Sequence, residues 1–301
     1  LKRLWNQCYR YDELPEPDAA TQALFDTGHD VGELARQLVP GGVLVEEDHK
    51  HHADARTRTE ELVAEESAPA IYEAAFTFED IRIRVDILER ASDDKWNLLE
   101  VKASTSVKDY HMYDVAIQQY VLEGCGLRVG KACLVHLNNE YVYDGEQLAI
   151  TDLFTVEDLS QRVDSLKPEV LDLLSRERTV LRQPEPPLIQ ASKHCHDPYT
   201  CEWYEECRQA MPEFWVNELY RVGAARLAQL KELGVRKIAE IPDTSNLTSI
   251  QTRIRDCVRS GEMFVDPALK NAFADLVYPI HYLDFETFAP AIPRYKDTRP
   301  Y

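Results

Sequence analysis

The sequence predicts an α/β protein with a mixed central sheet flanked by helices. Three observations carry that expectation. Between residues 70 and 102 apolar and polar positions alternate with period two, as in half-buried strands: Ile81, Ile83, Val85 and Ile87 interleave with Arg82, Arg84 and Asp86. Elsewhere apolar residues recur at helical spacing, as in Leu24, Phe25, Val31, Leu34 and Leu38. At 301 residues and 44% hydrophobic, the chain can bury one sizeable core and a smaller one.

Taken in order, residues 1–40 read as mostly helical, stopped by Pro40-Gly41-Gly42. Val43 to Glu46 reads as a short strand, residues 50–66 as a charged helix and Ile71 to Phe78 as a strand. A hairpin fills residues 80–103, its second strand carrying Trp96, Leu98, Leu99 and Val101, with Ser92-Asp93-Asp94-Lys95 as the turn. Tyr110 to Gly124 is expected as a helix. Ala132 to Leu137 and Tyr141 to Tyr143 are expected as strands around an Asn138-Asn139 turn, and Val156 to Arg178 as a long amphipathic helix. His49, His51 and His52 lie in the charged stretch and read as a solvated face. Cys125, Cys133 and Cys257 read as core residues.

No run reaches the ~18 apolar residues of a bilayer span, and nothing reads as a secretory leader. The expectation is a cytoplasmic protein with no membrane partner. Seven cysteines, an odd number, argue against a disulfide framework.

The hairpin carries the chemistry. Asp86 sits in an apolar strand, where a charge is costly without a partner. Glu100 and Lys102, two residues apart on the next strand, point to one side. Paired strands would bring Asp86 and Glu100 together, and two carboxylates suit a divalent cation with oxygen ligands. Lys102 would orient or activate an attacking water. This is the Asp…Glu-x-Lys constellation of a metal-dependent phosphodiesterase.

Asp86 with Glu100-Val101-Lys102 resembles the PD-(D/E)XK nuclease core of the RecB type. The resemblance implies a restriction-endonuclease-like core over residues 1–183. Leu24 to Ala35 resembles the family's helical motif, which implies His29 as a metal ligand beside Asp86 and Glu100, with Mg²⁺ or Mn²⁺ as the cation. Asp114-Val115-Ala116-Ile117-Gln118-Gln119-Tyr120 resembles the family's glutamine/tyrosine helix. The family pattern places glutamine four residues before tyrosine, where this chain has Ala116. The implied catalytic set is Asp86, Glu100, Lys102, Gln118 and Tyr120, with Asp114 and Gln118, one turn apart, sharing a role.

Residues 184–212 open on a proline-rich linker (Pro184, Pro186, Pro187), after which come Cys195, Cys201 and Cys207 at even five-residue gaps. Thiolate ligation would hold such a coreless segment folded. Zinc prefers closer cysteine pairs. RecB-type nucleases with a cluster use three cysteines after the core and one upstream, so the resemblance implies a 4Fe-4S cluster on Cys195, Cys201, Cys207 and Cys8, or on a cysteine preceding Lys2-Arg3-Leu4-Trp5. Zn²⁺ with His194 or His196 is the alternative.

Residues 213–275 read as short helices with glycine turns and resemble a helix-hairpin-helix element, which binds phosphates through backbone amides. Eight Lys/Arg against five Asp/Glu fall in residues 217–260, a local reversal in a chain of net charge −19. A plain helical subdomain is the alternative. Broad nucleic-acid coating is disfavoured by the overall charge; Arg82, Lys108 and the basic residues after Arg221 are the candidate contacts.

Residues 276–301 contain Tyr282-Leu283-Asp284-Phe285-Glu286-Thr287-Phe288, read as a strand with both carboxylates on one face. It resembles the first motif of DnaQ-like DEDD exonucleases, which implies a second, incomplete site at Asp284 and Glu286. The four signals together resemble a bacterial family joining a RecB-like nuclease, a cysteine cluster and a DnaQ-like domain. The implied function is phosphodiester hydrolysis in DNA, or RNA, during repair, processing or defence. The alternatives are a catalytically degenerate nucleic-acid scaffold and a zinc-stapled interaction module.

Overall fold

The computed structural model describes residues 1–65, 67–274 and 276–301. In chain order the helices and strands are α1 (Lys2–Tyr9), α2 (Ala19–Ala35), β1 (Val43–Leu44), α3 (His52–Glu65), β2 (Ala70–Phe78), β3 (Ile81–Arg90), β4 (Lys95–Lys102), α4 (Asp109–Gly124), β5 (Arg128–Leu137), α5 (Ile150–Leu153), β6 (Phe154–Asp158), α6 (Ser160–Leu181), α7 (Tyr204–Gln209), α8 (Ala224–Glu232), α9 (Ser249–Ser260) and α10 (Leu269–Ala274). They fall into two compact units. One comprises Glu16–Thr179 and Glu286–Tyr301, the other Leu1–Pro15 and Val180–Phe285.

The first unit is a mixed six-stranded sheet in the order β1-β2-β3-β4-β5-β6. β1–β2 and β4–β5 are parallel and the other three pairs antiparallel. Local turn chemistry sets the meander. Glu79 and Asp80 join β2 to β3, and Asp93 and Asp94 join β3 to β4, all four at positive φ; such turns match the right-handed twist of the strands they connect. Asp18 caps α2, accepting from the Thr21 N–H at 2.7 Å. The parallel step from β4 to β5 crosses over through α4. Gly124 ends α4 against the Phe78 ring, and a Cβ there would lie 2.3 Å from a ring carbon.

Helices cover both sheet faces. On one, Ala55 and Leu62 of α3, Val115, Ala116, Val121 and Leu122 of α4, and Val163, Val170 and Leu174 of α6 pack with Val85, Leu88, Leu98 and Leu134. On the other, Val31 and Ala35 of α2 and Leu153 of α5 pack with Tyr72, Ile87, Leu99 and Val135. Each fully buried aliphatic side chain contributes about 1.5–3 kcal/mol.

Five expectations change, four of them as follows. Tyr141 to Tyr143 is not a strand of the sheet: Tyr143 exchanges backbone hydrogen bonds with Asp297 and Thr298 instead. The edge strand is β6, inside the stretch expected to open the long helix, because Asp158 caps the Ser160 N–H at 3.0 Å and separates strand from helix. His52 is buried and hydrogen-bonds Thr77 at 3.0 Å, so the histidine stretch is not uniformly solvated. Cys125 is exposed and Cys257 partly so; of the three cysteines expected in the core, Cys133 is the buried one.

The second unit has its own core. Trp215, Val216, Leu219, Val222, Leu230, Val235, Ile238 and Ile241 pack with Ala191 and Cys195. α1 belongs to this unit: Arg10 pairs with Glu206 at 2.9 Å and lies over the Trp203 ring, and Arg3 pairs with Glu202 at 2.5 Å. Residues 282–288 form no strand. Tyr282 is 90% exposed, Leu283 81% and Phe285 88%. An apolar run becomes a strand by hydrogen-bonding to a neighbour, and among the described residues none pairs with it.

Candidate active site

The polar site lies where β3 and β4 part. Their ladder runs from Arg90↔Trp96 to Ile87↔Leu99 and stops. One step further in the same register sits Asp86 beside Glu100. Instead of a ladder bond, the Asp86 carboxylate accepts the Val101 N–H at 2.6 Å. The irregularity extends to β2, where Tyr72↔Ile87 and Ala74↔Val85 flank Glu73, which has φ +57° and lies opposite Asp86. Inward alternation slips on both strands here: Val85 and Leu88 share one core, as do Ile71 and Ala74. Three carboxylates therefore lie in lateral register on adjacent strands. Glu73 forms ion pairs with Arg36 (3.2 Å) and Arg84 (3.3 Å).

Glu100 and Lys102 point to the face covered by α4. Lys102 Nζ donates to Glu100 Oε1 and to Asp114 Oδ2, both at 2.6 Å. Gln118, one turn along α4, donates to Glu100 Oε2 at 2.7 Å and to Asp114 Oδ1 at 3.2 Å. Its other amide atom, Oε1, is buried without a hydrogen-bond partner. Glu100 is 5% exposed.

Burial sets the protonation chemistry. It raises the Asp86 carboxyl to about 6, aided by the negative charges of Glu73 and Asp114. It raises Glu100 well above the usual carboxylate range, with Asp86 and Asp114 adding repulsion. Desolvation works against the Lys102 ammonium, but Glu100 and Asp114 outweigh it and hold the proton more firmly than usual. Burial likewise opposes the Asp114 charge, and Lys102 overcomes it, leaving that carboxyl below its ordinary value. Lys102 is thus a fixed cation and a donor, not a base.

Two further groups join the site that the sequence motifs did not single out. His111, one turn before Asp114 on α4, is buried, and its Nδ1 accepts the Lys108 N–H at 3.2 Å. Burial and the Lys102 charge lower it to about 4. Glu73 is the other. Helical spacing from Asp114 could have flagged His111; only strand register reveals Glu73.

The structure thus brings Asp86, Glu100, Lys102, Asp114 and Gln118 together, and leaves other candidates elsewhere. Tyr120 is two residues past Gln118, on the other side of the helix, and its hydroxyl bonds Glu79 at 2.7 Å. His29 is exposed on α2, whose buried residues pack on the opposite sheet face. Asp284 and Glu286 are exposed, outside any strand.

Among the described residues no group of three or more His, Cys, Asp or Glu side chains is arranged to hold a metal ion. Asp86 and Glu100 nevertheless fit a hard cation: both are oxygen donors, both carry charge at a cost, Asp86 adds to that cost at Glu100, and Asp114 adds to it at both. In the second unit Cys195 is buried and Cys201 and Cys207 partly so. The Cys201 N–H donates to the Cys195 carbonyl at 2.7 Å, and burial raises the Cys201 thiol, with Glu202 and Cys195 adding to the shift. Cys8 is exposed on α1. These are soft donors gathered in one unit, the chemistry that iron–sulfur or zinc binding uses.

Compared with known proteins, the chain matches no family model and no curated protein. No helix among the described residues is long and apolar enough to cross a membrane.

Proposed function

We propose that this chain is a Mg²⁺- or Mn²⁺-dependent nuclease with a restriction-endonuclease-like core, acting on DNA ahead of RNA. One observation carries the reading: Asp86 and Glu100 adjoin across two parting strands, while Lys102 is clamped beside them by Glu100 and Asp114. Asp86 and Glu100 would hold the cation, which when bound supplies Lewis-acid polarisation of the phosphodiester. The chain's own residues then divide the remaining work. Lys102, a permanent ammonium, orients the attacking water and stabilises charge on the phosphoryl oxygens. Asp114 and Gln118 fix Lys102 and Glu100 in place. Neutral His111 keeps a second positive charge away from Lys102. Cys195, Cys201 and Cys207, with Cys8, would carry a 4Fe-4S cluster, or Zn²⁺, as a staple within the second unit.

A second reading, a nucleic-acid scaffold without cleavage, is favoured by two features: both Glu100 oxygens are already bonded, and Tyr120 is turned away to Glu79. Cleavage assays on single- and double-stranded substrates with Mg²⁺ or Mn²⁺ separate the two. Glu100→Gln and Asp86→Asn are each expected to reduce cleavage by about 10²–10⁴-fold. Full activity in both variants rejects this site, and strand binding with no cleavage under either metal selects the scaffold.

A further inference from the structure

We propose that a cavity beside α8 binds one phosphate-bearing nucleotide unit of a single-stranded nucleic acid. The cavity holds 310 Å³, at the lower end of the roughly 300–1,000 Å³ of small-ligand sites. Its lining is mixed: Met211, Trp215, Val216 and Val235 are apolar, Gln190 is polar, and Lys231 and Arg236 are cations. The frame is fixed by backbone bonds. The Val216 N–H donates to the Arg236 carbonyl at 2.9 Å, and the Ile238 N–H to the Phe214 carbonyl at 2.8 Å. Lys231 Nζ lies 5.9 Å from the Trp215 ring centroid. An ammonium over an indole beside a guanidinium, above an apolar floor, suits a ligand with a phosphate at one end and a flat or sugar surface at the other.

Charge favours a strand over a free nucleotide. Of the eight Lys/Arg in residues 217–260, Arg255 and Arg259 are those that form ion pairs among the described residues. The acids are largely committed: Glu218 to Arg208, Glu240 to backbone amides, Asp243 and Asp256 to the paired arginines. Arg221, Arg226, Lys231, Arg236, Lys237 and Arg253 form no side-chain ion pair among the described residues, although Glu240 lies near Arg236 and Lys237. Eight Lys/Arg against five Asp/Glu leave a local excess of three positive charges, more than one phosphate needs and suited to a polyanion.

The inference takes its ligand class from the nuclease reading, but its test does not need catalysis. Binding of a fluorescein-labelled twelve-residue oligothymidylate is followed by anisotropy without added Mg²⁺ or Mn²⁺ and without a chelator, and binding of thymidine monophosphate by calorimetry, for the full chain and for Lys231→Gln/Arg236→Gln. Both side chains are exposed, so the variant retains the core. The double variant is expected to bind the strand at least about tenfold more weakly, with the salt dependence shallower by about 0.7 for each phosphate that is no longer neutralised. Weakening of the mononucleotide alone keeps the cavity and assigns it to free nucleotides. Unchanged binding of both ligands, or no binding of either by the parent chain, overturns the proposal. Loss of cleavage in Glu100→Gln with strand binding retained would leave this result readable by itself.

Discussion

The two units treat charge in opposite ways. In the sheet, Glu100 and Gln118 are buried and Lys102 and Asp114 partly exposed, and the four hold each other through hydrogen bonds of 2.6 to 3.2 Å. In residues 217–260 most of the unpaired cations stand in solvent. A desolvated network couples its members to folding, because removing one leaves another stranded. Solvated cations contribute little to stability and remain available to a polyanion. The sheet site should therefore register in unfolding experiments and the helical unit in salt-dependent binding.

The sharpest way to break that contrast is Lys102→Ala. It strands Glu100 in the interior beside Asp114 and Asp86. The expected loss is near the lower end of about 3–5 kcal/mol, since Asp114 is partly exposed and Glu100 can take up a proton. Adding Glu100→Gln should restore most of the loss, as a double-mutant cycle by urea unfolding would read. Additive losses would mean that the network is not coupled. For this reason Glu100→Gln, not Lys102→Ala, is the cleaner test of chemistry.

The next largest effect is a pH dependence. His111 is held neutral in the folded protein, at about 4 against an ordinary 6.5. Its folded pKa is depressed, so the folded state binds fewer protons than the unfolded one between those values. Its contribution is complete above pH 6.5 and is lost as pH falls toward 4, about 3 kcal/mol in all. Asp86 and Glu100 act in the opposite sense, because their raised values let the folded state take up protons in the same window. The difference in unfolding free energy between the parent chain and His111→Gln isolates the histidine. That difference should shift by about 3 kcal/mol in favour of the variant between pH 7 and pH 4, and a flat difference would remove His111 from the network.

How much of this was legible beforehand follows from what sets each feature. The β3–β4 hairpin was readable because alternation and a polar turn are local, and Asp86, Glu100 and Lys102 came with it. Gln118 came from the resemblance of its helix to the family's glutamine/tyrosine motif, and Asp114 from lying one turn before it. Glu73 was not legible, because its place opposite Asp86 depends on register between strands and on a backbone at φ +57° that no pattern announces. β6 was hidden because Val156 fits the helical spacing of Leu159, Val163 and Leu166 that follows it. The Asp284 segment shows the converse: its alternation reads as a strand, but pairing decides, and no described residue pairs with it.

A third, smaller effect has the opposite sign to Lys102→Ala. Asp86 carries its charge at a cost when no cation is present, and its folded pKa lies above the ordinary carboxylate value. The penalty is therefore present above about pH 6 and vanishes at low pH. Asp86→Asn keeps an oxygen for the Val101 N–H and should stabilise the metal-free chain by about 1–3 kcal/mol at pH 8, with no gain at pH 4. Measured with saturating Mg²⁺, the gain should shrink, because a cation bound by the parent chain favours its folded state. A gain unaffected by Mg²⁺ or Mn²⁺ would separate Asp86 from metal binding.

The smallest effect tests the other side of the comparison, within one helix. Arg253 and Arg255 lie two positions apart on α9 and so face different surroundings. Arg255 is 7% exposed, bonds the Pro242 carbonyl and pairs with Asp243 and Asp256. Arg253 is exposed and rests over Phe264, 3.9 Å from the ring centroid. Arg255→Gln gives up charge-assisted bonds on a buried side chain and should cost about 1 kcal/mol or more. Arg253→Gln should alter stability by no more than about 0.5 kcal/mol, because an exposed cation over a ring is worth little in water. If strand binding falls in Arg253→Gln while unfolding is unchanged, a solvated cation of this unit serves the ligand and not the fold. Equal losses of stability in both variants would instead make the helical unit's charges structural, and the contrast between the two units would fail.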